Sequence, residues 1–361
     1  GQFIKSGTPL VYFDGCVNEG RISGKSNVGG FIGQIGASTS LSISNSFNTG
    51  TVTGQNVNVG GFVGFISSCI GTSLSFSNCT NNGYVVVKQK YVGGLVGRMT
   101  SNTNVSVTLS DCTNNGSVSF IESGDEIEGA GGFFGFINND KSDSITFSGC
   151  INNGVITAKS YLGGMVGIFS SNHHSIVAIS NCANNGFING VDSSAGGMVG
   201  SFNLNTNMTV NVFNAINNKN VNASFDSGGL VGQVSSEAGY SVAITLKSCT
   251  NNGAVSAAKD VACGLFCVSR EYNVGVITNV FNSVNKGNVN AKAYAYGITT
   301  SNTIARNVVS MGTVRADSSA YSFWEQSTHA DLCFGLDTNC VNCANVTLFE
   351  QKSNKFYFIG S

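Results

Sequence analysis

The sequence is poor in several residue types on which many folds and functions depend. It has one proline, one tryptophan and three histidines in 361 residues, and only 10% of its residues are charged, against about a quarter in ordinary domains. The formal net charge is −1, so no charge excess favours nucleic acid or an anionic membrane surface as a partner. No run of about 18 apolar residues is present, so we expect no membrane insertion in this segment.

Side chains that carry chemistry are also few and scattered. The 19 acidic residues form no recurring column, whereas carbohydrate hydrolysis requires two carboxylates that flank one groove. The sequence supports no Ser-His-Asp set, phosphate-cradling loop or dinucleotide-binding fingerprint. We therefore expect a protein that is not an enzyme and that needs no cofactor and no metal.

Glycine and asparagine, by contrast, are abundant, with 47 and 45 residues, and they follow a repeat. An apolar Gly-Gly element recurs nine times at steps of 31 to 38 residues. Its copies begin at Gly29, Gly60, Gly93, Gly131, Gly163, Gly196 and Gly228 and, in weakened form, at Cys263 and Tyr296. Self-similarity at this period marks a repeat architecture, in which each unit buries its apolar face against its neighbours.

Residues 105–138 illustrate one repeat unit. The segment from Val105 to Ser110 alternates apolar and polar residues, as a half-buried strand does. An Asn-Asn-Gly corner and the next Gly-Gly element follow, and each is joined to a short apolar stretch. No helical periodicity is present. The sequence therefore predicts an all-β parallel β-helix, or β-solenoid, of about eight to nine coils with about 33 residues and three short strands per coil.

Alignment of the units produces columns of like residues. Two residues after a slot usually filled by cysteine, every unit has asparagine, and such residues stacked about 4.8 Å apart can bond one another along the axis. This predicted structural ladder comprises Asn48, Asn81, Asn114, Asn152, Asn184, Asn217, Asn251 and Asn285. Three apolar columns, one from each predicted strand, predict a triangular coil with a single apolar interior.

The Gly-Gly-(Leu/Phe/Met)-Val-Gly element and the Asn-x-Gly-x-Val segment resemble the GLUG repeat of microbial surface proteins. The resemblance covers residues 10–315. It implies a β-solenoid in a secreted or surface-attached protein, often as a stalk or adhesive region, and it implies no catalytic residues.

From these features we expect a secreted or cell-surface structural or adhesive protein: a stalk, a fibre segment or an adhesin-like rod. Its partners would be further copies of itself, in lateral or end-to-end assembly, or a surface glycan or protein. The alternative is a carbohydrate-active β-helix enzyme or a polysaccharide-binding module. Ice binding ranks below both, because threonine does not recur in register. The chain has no initiator methionine, so we expect a processed chain or a segment of a longer one.

Two divisions follow from the repeat. Residues 1–315 form the predicted solenoid, and residues 316–361, which lack the repeat, form a C-terminal cap or a junction to a following region. A cap is expected because the terminal unit of a solenoid must cover exposed strand edges.

Eleven of the twelve cysteines fall into two groups, and Cys69 belongs to neither. Those in the repeating slot alternate with Ser and Ala, so we expect buried thiols there rather than a ladder of bridges. Five lie outside the slot and are candidates for disulfides in an oxidising environment: Cys263, Cys267, Cys333, Cys340 and Cys343. Zinc ligation by Cys333, Cys340 and Cys343 with His329, or free thiols, are the alternatives.

The Gly-Gly strand has a second apolar column beside the inward one. If strand alternation continues, these side chains face outward and are covered either by polar loops of the same chain or by a partner. The candidate interface comprises Ile32, Val63, Val96, Phe134, Val166, Val199, Val231 and Phe266.

Three further features are of lower specificity. N-x-S/T sequons make six residues candidates for glycosylation, of which we expect a minority to be used: Asn78, Asn104, Asn115, Asn207, Asn222 and Asn345. His173 and His174 are expected to be loop residues. The acidic insertion from Glu122 to Glu128 has oxygen ligands for calcium but no known calcium-binding spacing.

Overall fold

The computed structural model is an all-β solenoid in which successive coils stack in parallel register. It describes residues 2–4, 9–36, 38–120, 128–138, 140–192, 194–236, 240–269, 275–300 and 303–321, and the strand segments 330–331, 334–335, 348–352 and 355–360. Five parallel sheets run along the axis, and equivalent residues about 33 positions apart pair with each other. The predicted fold class and coil length are confirmed. No helix among the described residues is long and apolar enough to cross a membrane.

We name the sheets S1 to S5 in the order in which one coil passes through them. S1 contains Leu10–Asp14, Ser40–Ser44, Ser73–Ser77, Ser106–Ser110, Ser144–Ser148, Ile176–Ser180, Met208–Phe213, Val242–Lys247, Val276–Phe281, Ile304–Arg306 and Ala330–Asp331. S2 contains Val17–Asn18, Phe47–Asn48, Thr80–Asn81, Thr113–Asn114, Ile151–Asn152, Ala183–Asn184, Ile216–Asn217, Thr250–Asn251, Val284–Asn285, Val309–Ser310 and Phe334–Gly335. S3 contains Ile22–Gly24, Val52–Gly54, Val85–Val87, Val118–Phe120, Ile156–Ala158, Ile188–Gly190, Val221–Ala223, Val255–Ala257, Val289–Ala291 and Val314–Ala316.

The last two sheets of each coil flank the Gly-Gly element. S4 contains Val28–Gly29, Val57–Gly60, Lys90–Gly93, Gly129–Gly131, Tyr161–Gly163, Ala195–Gly196, Ser227–Gly228, Val261–Cys263, Tyr294–Tyr296 and Ser319–Tyr321. S5 contains Gln2–Ile4, Ile32–Gly36, Val63–Ser67, Val96–Thr100, Phe134–Asn138, Val166–Ser170, Val199–Asn205, Val231–Ser236 and Phe266–Val268. An antiparallel pair, Leu348–Lys352 and Lys355–Gly360, lies outside the five sheets.

A coil thus contains five strands, and the prediction of three was wrong. One cause is the corner between S1 and S2, where a single residue adopts a left-handed conformation with φ between 49° and 65°. This column is mostly Asn or Gly, the residues that tolerate this conformation best: Gly15, Asn45, Asn78, Asp111, Gly149, Asn181, Asn214, Ser248, Asn282 and Asn307. The sharp change of direction separates S1 from the two-residue strands of S2.

Parallel stacking continues beyond residue 315. Ser319–Tyr321 pairs with Tyr294–Tyr296, and Phe334–Gly335 pairs with Val309–Ser310. The coils thus extend into the region in which the sequence analysis placed the C-terminal cap.

The interior is divided into two kinds of apolar core rather than one triangular core. The larger core lies between S1 and S5 and contains fully buried residues such as Phe62 and Phe76. A narrower core lies between S3 and S4, where Val85 packs near Val92; a separate cluster continues it in the C-terminal coils. The expected columns are buried, but they do not face one common axis.

The contact that divides the cores joins the Gly-Gly element to the asparagine column of S2. A Cβ added to Gly61 would lie 2.7 Å from the Asn81 Oδ1 atom and 2.1 Å from the Gly94 carbonyl oxygen. A Cβ on Gly60 would lie 2.1 Å from the carbonyl oxygen of Val63, because the chain reverses there. Only glycine fits both positions, so the corner between S4 and S5 touches S2 directly.

The third glycine of the Gly-Gly-x-x-Gly element lets S5 pack on S4 backbone to backbone. A Cβ on Gly64 would lie 2.5 Å from the backbone nitrogen of Val28, which belongs to S4, and 2.7 Å from the carbonyl oxygen of Gly33. Gly97 meets Val59 and Gly64 in the same way one coil later. The repeated motif therefore brings the backbones of S4 and S5 into direct contact, with no layer of side chains between them.

The asparagine column forms a hydrogen-bonded ladder along the axis. From Asn18 to Asn285, each Nδ2 atom donates to the Oδ1 atom of the asparagine in the next coil over 2.7–2.8 Å. From Asn48 onward, each also donates to a carbonyl oxygen two residues later, as Asn81 does to Gly83 at 3.0 Å. The ladder members from Asn48 onward are fully buried, so these bonds satisfy polar groups that have no access to water.

The outward direction expected for the second apolar column of the Gly-Gly strand was wrong, so neither a partner nor loops of the same chain are needed to cover it. All eight side chains are fully buried inside the chain: Ile32, Val63, Val96, Phe134, Val166, Val199, Val231 and Phe266. The reason is the backbone at the corner, where two consecutive N–H groups donate to one carbonyl oxygen. The Phe62 and Val63 N–H groups both donate to Leu95 at 2.9 Å. This irregularity breaks strand alternation, so both neighbours point into the larger core.

We expect Gly94→Ala to prevent stable folding or to lower the free energy of unfolding by more than about 3 kcal/mol, since its Cβ would lie 2.1 Å from the Gly132 carbonyl oxygen. Gly20→Ala is the control, because the nearest atom to that Cβ is 3.7 Å away. Urea denaturation followed by circular dichroism measures both. Equal stability of the two variants would contradict the close backbone contact.

We expect Asn114→Ala to reduce the free energy of unfolding by about 1–3 kcal/mol, because Asn81, Asn152 and the Gly116 carbonyl each lose a buried partner. The adjacent Asn115→Ala is the control. Asn115 belongs to an exposed ladder, so its removal should change stability by no more than about 0.5 kcal/mol. A similar loss in both variants would show that burial of the inner ladder does not matter.

Candidate functional site

The cysteine slot contains buried thiols. Cys79, Cys112, Cys150, Cys182 and Cys249 are free and at most 1% exposed. Their sulfur atoms donate to carbonyl oxygens at 3.2–3.6 Å, and burial raises the pKa of the Cys249 thiol to about 11. Hydrogen bonds from neighbouring thiols lower the pKa of Cys79 and Cys150 instead. Thiolates are the reactive form, but the burial of all five sulfur-bearing side chains shields them from reagents in solution.

Serine at the same slot accepts a hydrogen bond from a backbone N–H group. The Ser46 Oγ atom accepts the backbone N–H of Cys16, and the Ser283 Oγ atom accepts that of Cys249, each at 3.1 Å. Both hydroxyls also donate to a carbonyl oxygen two residues earlier. The slot thus accepts any small side chain that suits the corner, as Ala215 also shows.

Of the five candidate disulfide cysteines, Cys263 and Cys267 form a disulfide with their Cα atoms 5.6 Å apart. Cys263 pairs with Gly228 in S4, and both cysteines are fully buried. In its coil the bridge takes the place of the first and last glycines of the Gly-Gly-x-x-Gly element. It therefore links S4 to S5 at the reversal that glycine packing forms elsewhere.

Several predicted residues lie outside the described part of the chain. They are Cys333, Cys340, Cys343, His329 and Asn345, together with Glu122, Asp125 and Glu126 of the acidic insertion. Among the residues that are described, no group of three or more His, Cys, Asp or Glu side chains is arranged to hold a metal ion. His173 bonds Thr206 at 2.6 Å and His174 contacts Asn207 at 3.3 Å, so each histidine is directed to its own neighbour in the next coil.

Two buried aspartates occupy the turn between S5 and S1. Asp140 stands in a column that contains Asn102, Asn172 and Asn205 in neighbouring coils, and its Oδ1 atom accepts two bonds from Asn102, at 2.8 and 3.1 Å. The Oδ2 atoms of Asp140 and Asp143 are buried without a hydrogen-bond partner. Burial raises the pKa of Asp140 well above its ordinary value and that of Asp143 to about 6.

These carboxyls make stability depend on pH. In the unfolded chain they ionise near their ordinary pKa of 3.8, whereas in the folded chain the pKa of Asp143 is about 6 and that of Asp140 is well above its ordinary value. The folded state therefore gains most from them at acidic pH and loses that stabilisation as pH rises from about 4 through these raised values. Neither aspartate was identified by the sequence analysis.

We expect the wild type to melt at a lower temperature at about pH 7.5 than at about pH 4, and Asp140→Asn to reduce this difference. Asn172, at the equivalent position of the next coil, donates to a carbonyl oxygen and to Asn205. An asparagine at position 140 supplies a donor of the same kind, so at about pH 7.5 the variant should melt at least about 2 °C higher than the wild type. Calorimetry at both pH values measures this. Asp317→Asn, at an exposed carboxyl, should behave as wild type. A lower melting temperature for Asp140→Asn at about pH 7.5 would contradict the prediction.

The sequons differ in how free their side chains are. Asn104 is exposed, lies in a left-handed turn and makes no side-chain hydrogen bond with the described residues. Asn78 and Asn115 donate to asparagines of the preceding coil, Asn207 contacts His174, and Asn222 donates to Asn189 at 3.2 Å. A glycan on Asn104 would disturb no ladder bond, so the structure favours it among the five described sequons.

The outward face of S1 is a surface feature that the sequence analysis missed. Over four consecutive strands, all twelve outward positions are Ser or Thr: Ser40, Ser42, Ser44, Ser73, Ser75, Ser77, Ser106, Thr108, Ser110, Ser144, Thr146 and Ser148. Threonine alone does not recur in register here, because serine fills most of the positions. The face is neutral and presents only hydroxyl groups.

A furrow of about 550 Å³ runs along the outer corner between S3 and S4 in the C-terminal coils. Its floor is formed by a column of small residues: Gly190, Ala223, Ala257 and Ala291. One wall is formed by outward side chains of S3: Asn222, Ser256 and Asn290. The other wall is formed by the turn that leads to S4: Ser224, Ala258, Lys292 and Asp317. Close by, the Lys259 ammonium group lies over the Phe225 ring at 5.0 Å and bonds Asp192 at 3.1 Å. We take this furrow as the candidate binding site.

No family of proteins, no curated protein and no solved structure matches the chain.

Proposed function

We propose that this chain is the rod of a secreted or cell-surface protein, of the GLUG-repeat type, with a structural or adhesive role. The observation that carries the proposal is the buried asparagine ladder, which joins successive coils from Asn18 to Asn285 without a break. A rod whose coils are all bonded along the axis is stiff in the direction in which a stalk or fibre segment carries load.

The surface supports the adhesive half of the proposal. The hydroxyl face of S1 and the exposed asparagine ladder from Asn82 to Asn252 present neutral donors and acceptors. Such a surface suits contact with a hydrated neutral material, such as a cell-wall or cell-surface glycan, better than with a charged polymer. Self-association and a protein partner remain compatible with the same rod.

The second candidate function is a polysaccharide-binding module, and the furrow between S3 and S4 favours it. The enzyme version of that alternative has less support. Asp317 is the single carboxylate among the residues that line the furrow, whereas glycoside hydrolysis uses a pair.

We expect electron microscopy of the purified protein to show straight rods about 50 Å long, the length of ten spacings between stacked coils. On unpermeabilised cells of the source organism, antibodies should label the surface. Beads coated with the protein should adhere to those cells more than beads coated with the heat-denatured protein do. Compact particles in the micrographs, or labelling only after permeabilisation, would contradict the proposal.

A further inference from the structure

We propose that the furrow between S3 and S4 binds a linear neutral glycan. This inference rests on the adhesive role proposed above and assigns it a place and a ligand class. It stands on the polar groups of one wall, the small residues of the floor, the charge of the furrow and the shape of the groove.

The first wall presents the same kind of group in successive coils. Asn222, Ser256 and Asn290 hold equivalent positions in S3 and are paired in register, so their side chains repeat about every 4.8 Å. The side chains of Ser256 and Asn290 make no hydrogen bond to the described residues, and Asn222 uses one donor, to Asn189. Amide and hydroxyl groups both donate and accept, as sugar hydroxyls require.

The floor is open because the residues beneath it are small. In the column of Ala223 and Ala257, two of the earlier coils have Val87 and Phe120, whose side chains are larger. Ala223 and Ala257 are buried in the core between S3 and S4, so a sugar ring in the furrow would lie close to the strand backbone, with its C–H face toward an apolar floor. The same column holds Gly24, Gly54 and Ala158 in other earlier coils, so a small residue is a requirement of the floor but does not by itself set where the furrow lies.

The charge of the furrow argues against a charged polymer. Lys292 and Asp317 are both exposed, carry opposite charges and make no ion pair among the described residues, so the lining has no net charge. An extended peptide is also disfavoured. Peptides usually add to an open sheet edge, whereas the S3 strands along the furrow are paired on both sides.

The shape of the groove predicts weak binding. A shallow furrow buries one side of a ligand, whereas tight small-molecule sites enclose most of it. We therefore expect dissociation constants in the millimolar range for a single chain, and stronger attachment where many rods meet one polymer.

The test uses the full chain produced in bacteria, so that Asn222 carries no glycan. The probes are cellotetraose, chitotetraose and mannotetraose as neutral glycans and a heparin tetrasaccharide as an anionic one, measured by saturation-transfer NMR and titration. We expect at least one neutral tetrasaccharide to bind at least tenfold more tightly than the anionic one. Binding of none of them, or preference for heparin, would overturn the proposal.

Two variants locate the site. Ser256→Trp places a large ring in the furrow and should weaken binding at least tenfold. Thr53→Trp is the matched control, because Thr53 has the same outward register position in an N-terminal coil and lies outside the furrow. Circular dichroism confirms folding of both, and Asn290→Ala, expected to weaken binding two- to fivefold, serves if Ser256→Trp fails to fold. Equal binding by Ser256→Trp and Thr53→Trp would show that the glycan lies elsewhere.

The two proposals fail in different ways. If the rods and the surface labelling are observed but no neutral glycan binds in the furrow, the ligand assignment falls and the rod remains. If the particles are compact or intracellular, the proposed function falls whatever the furrow binds.

Discussion

The structure depends on one contact, between the Gly-Gly element and the asparagine column of S2. At this point the backbone of the S4–S5 corner touches an amide side chain with no room for a Cβ atom, as Gly61 and Asn81 show. The same amide donates to the next coil and to a local carbonyl group. One polar layer therefore sets the width of the coil, satisfies its buried groups and fixes the register between coils.

This contact explains the composition. Because this contact narrows the coil at its centre, the coil has two separate cores, which Val, Phe and Ala can fill. Polar backbone lies between these cores. Glycine is required where backbones touch, and asparagine is required for the ladder and is preferred at left-handed corners such as Asn45 and Asn78. Cys263 and Cys267 show that a disulfide can replace the first and last glycines of the element once, while Gly264 keeps the contact with Asn285.

The outer surface also reflects the composition of the repeat. Few positions carry charge, so the exposed columns consist of hydroxyl and amide groups that repeat with the coil spacing. A repeating neutral surface on a stiff axis suits adhesion to another repeating material. In the furrow between S3 and S4 such groups line a concave site above the small residues Ala223 and Ala257.

Much of this could be predicted from the sequence because identical residues return at a fixed period. The period determined the parallel solenoid, and the invariant asparagines indicated the ladder. Strand alternation failed at Val63, because two consecutive N–H groups share the Leu95 carbonyl and turn both neighbours inward. Local patterns describe which side chains alternate along a strand, but they do not contain the contacts between distant segments.

The sequence by itself determined the coil length, the parallel register and the residues that stack, since each of these depends only on a repeated spacing. Tertiary structure alone decided the division into two cores, the inward direction of Val63, the burial of Asp140 and the position of the furrow. The first two depend on how closely two remote backbones approach, a distance set by glycines whose partners lie elsewhere in the coil or in an adjacent one. The last two depend on which side chains the neighbouring coils and turns place around one position.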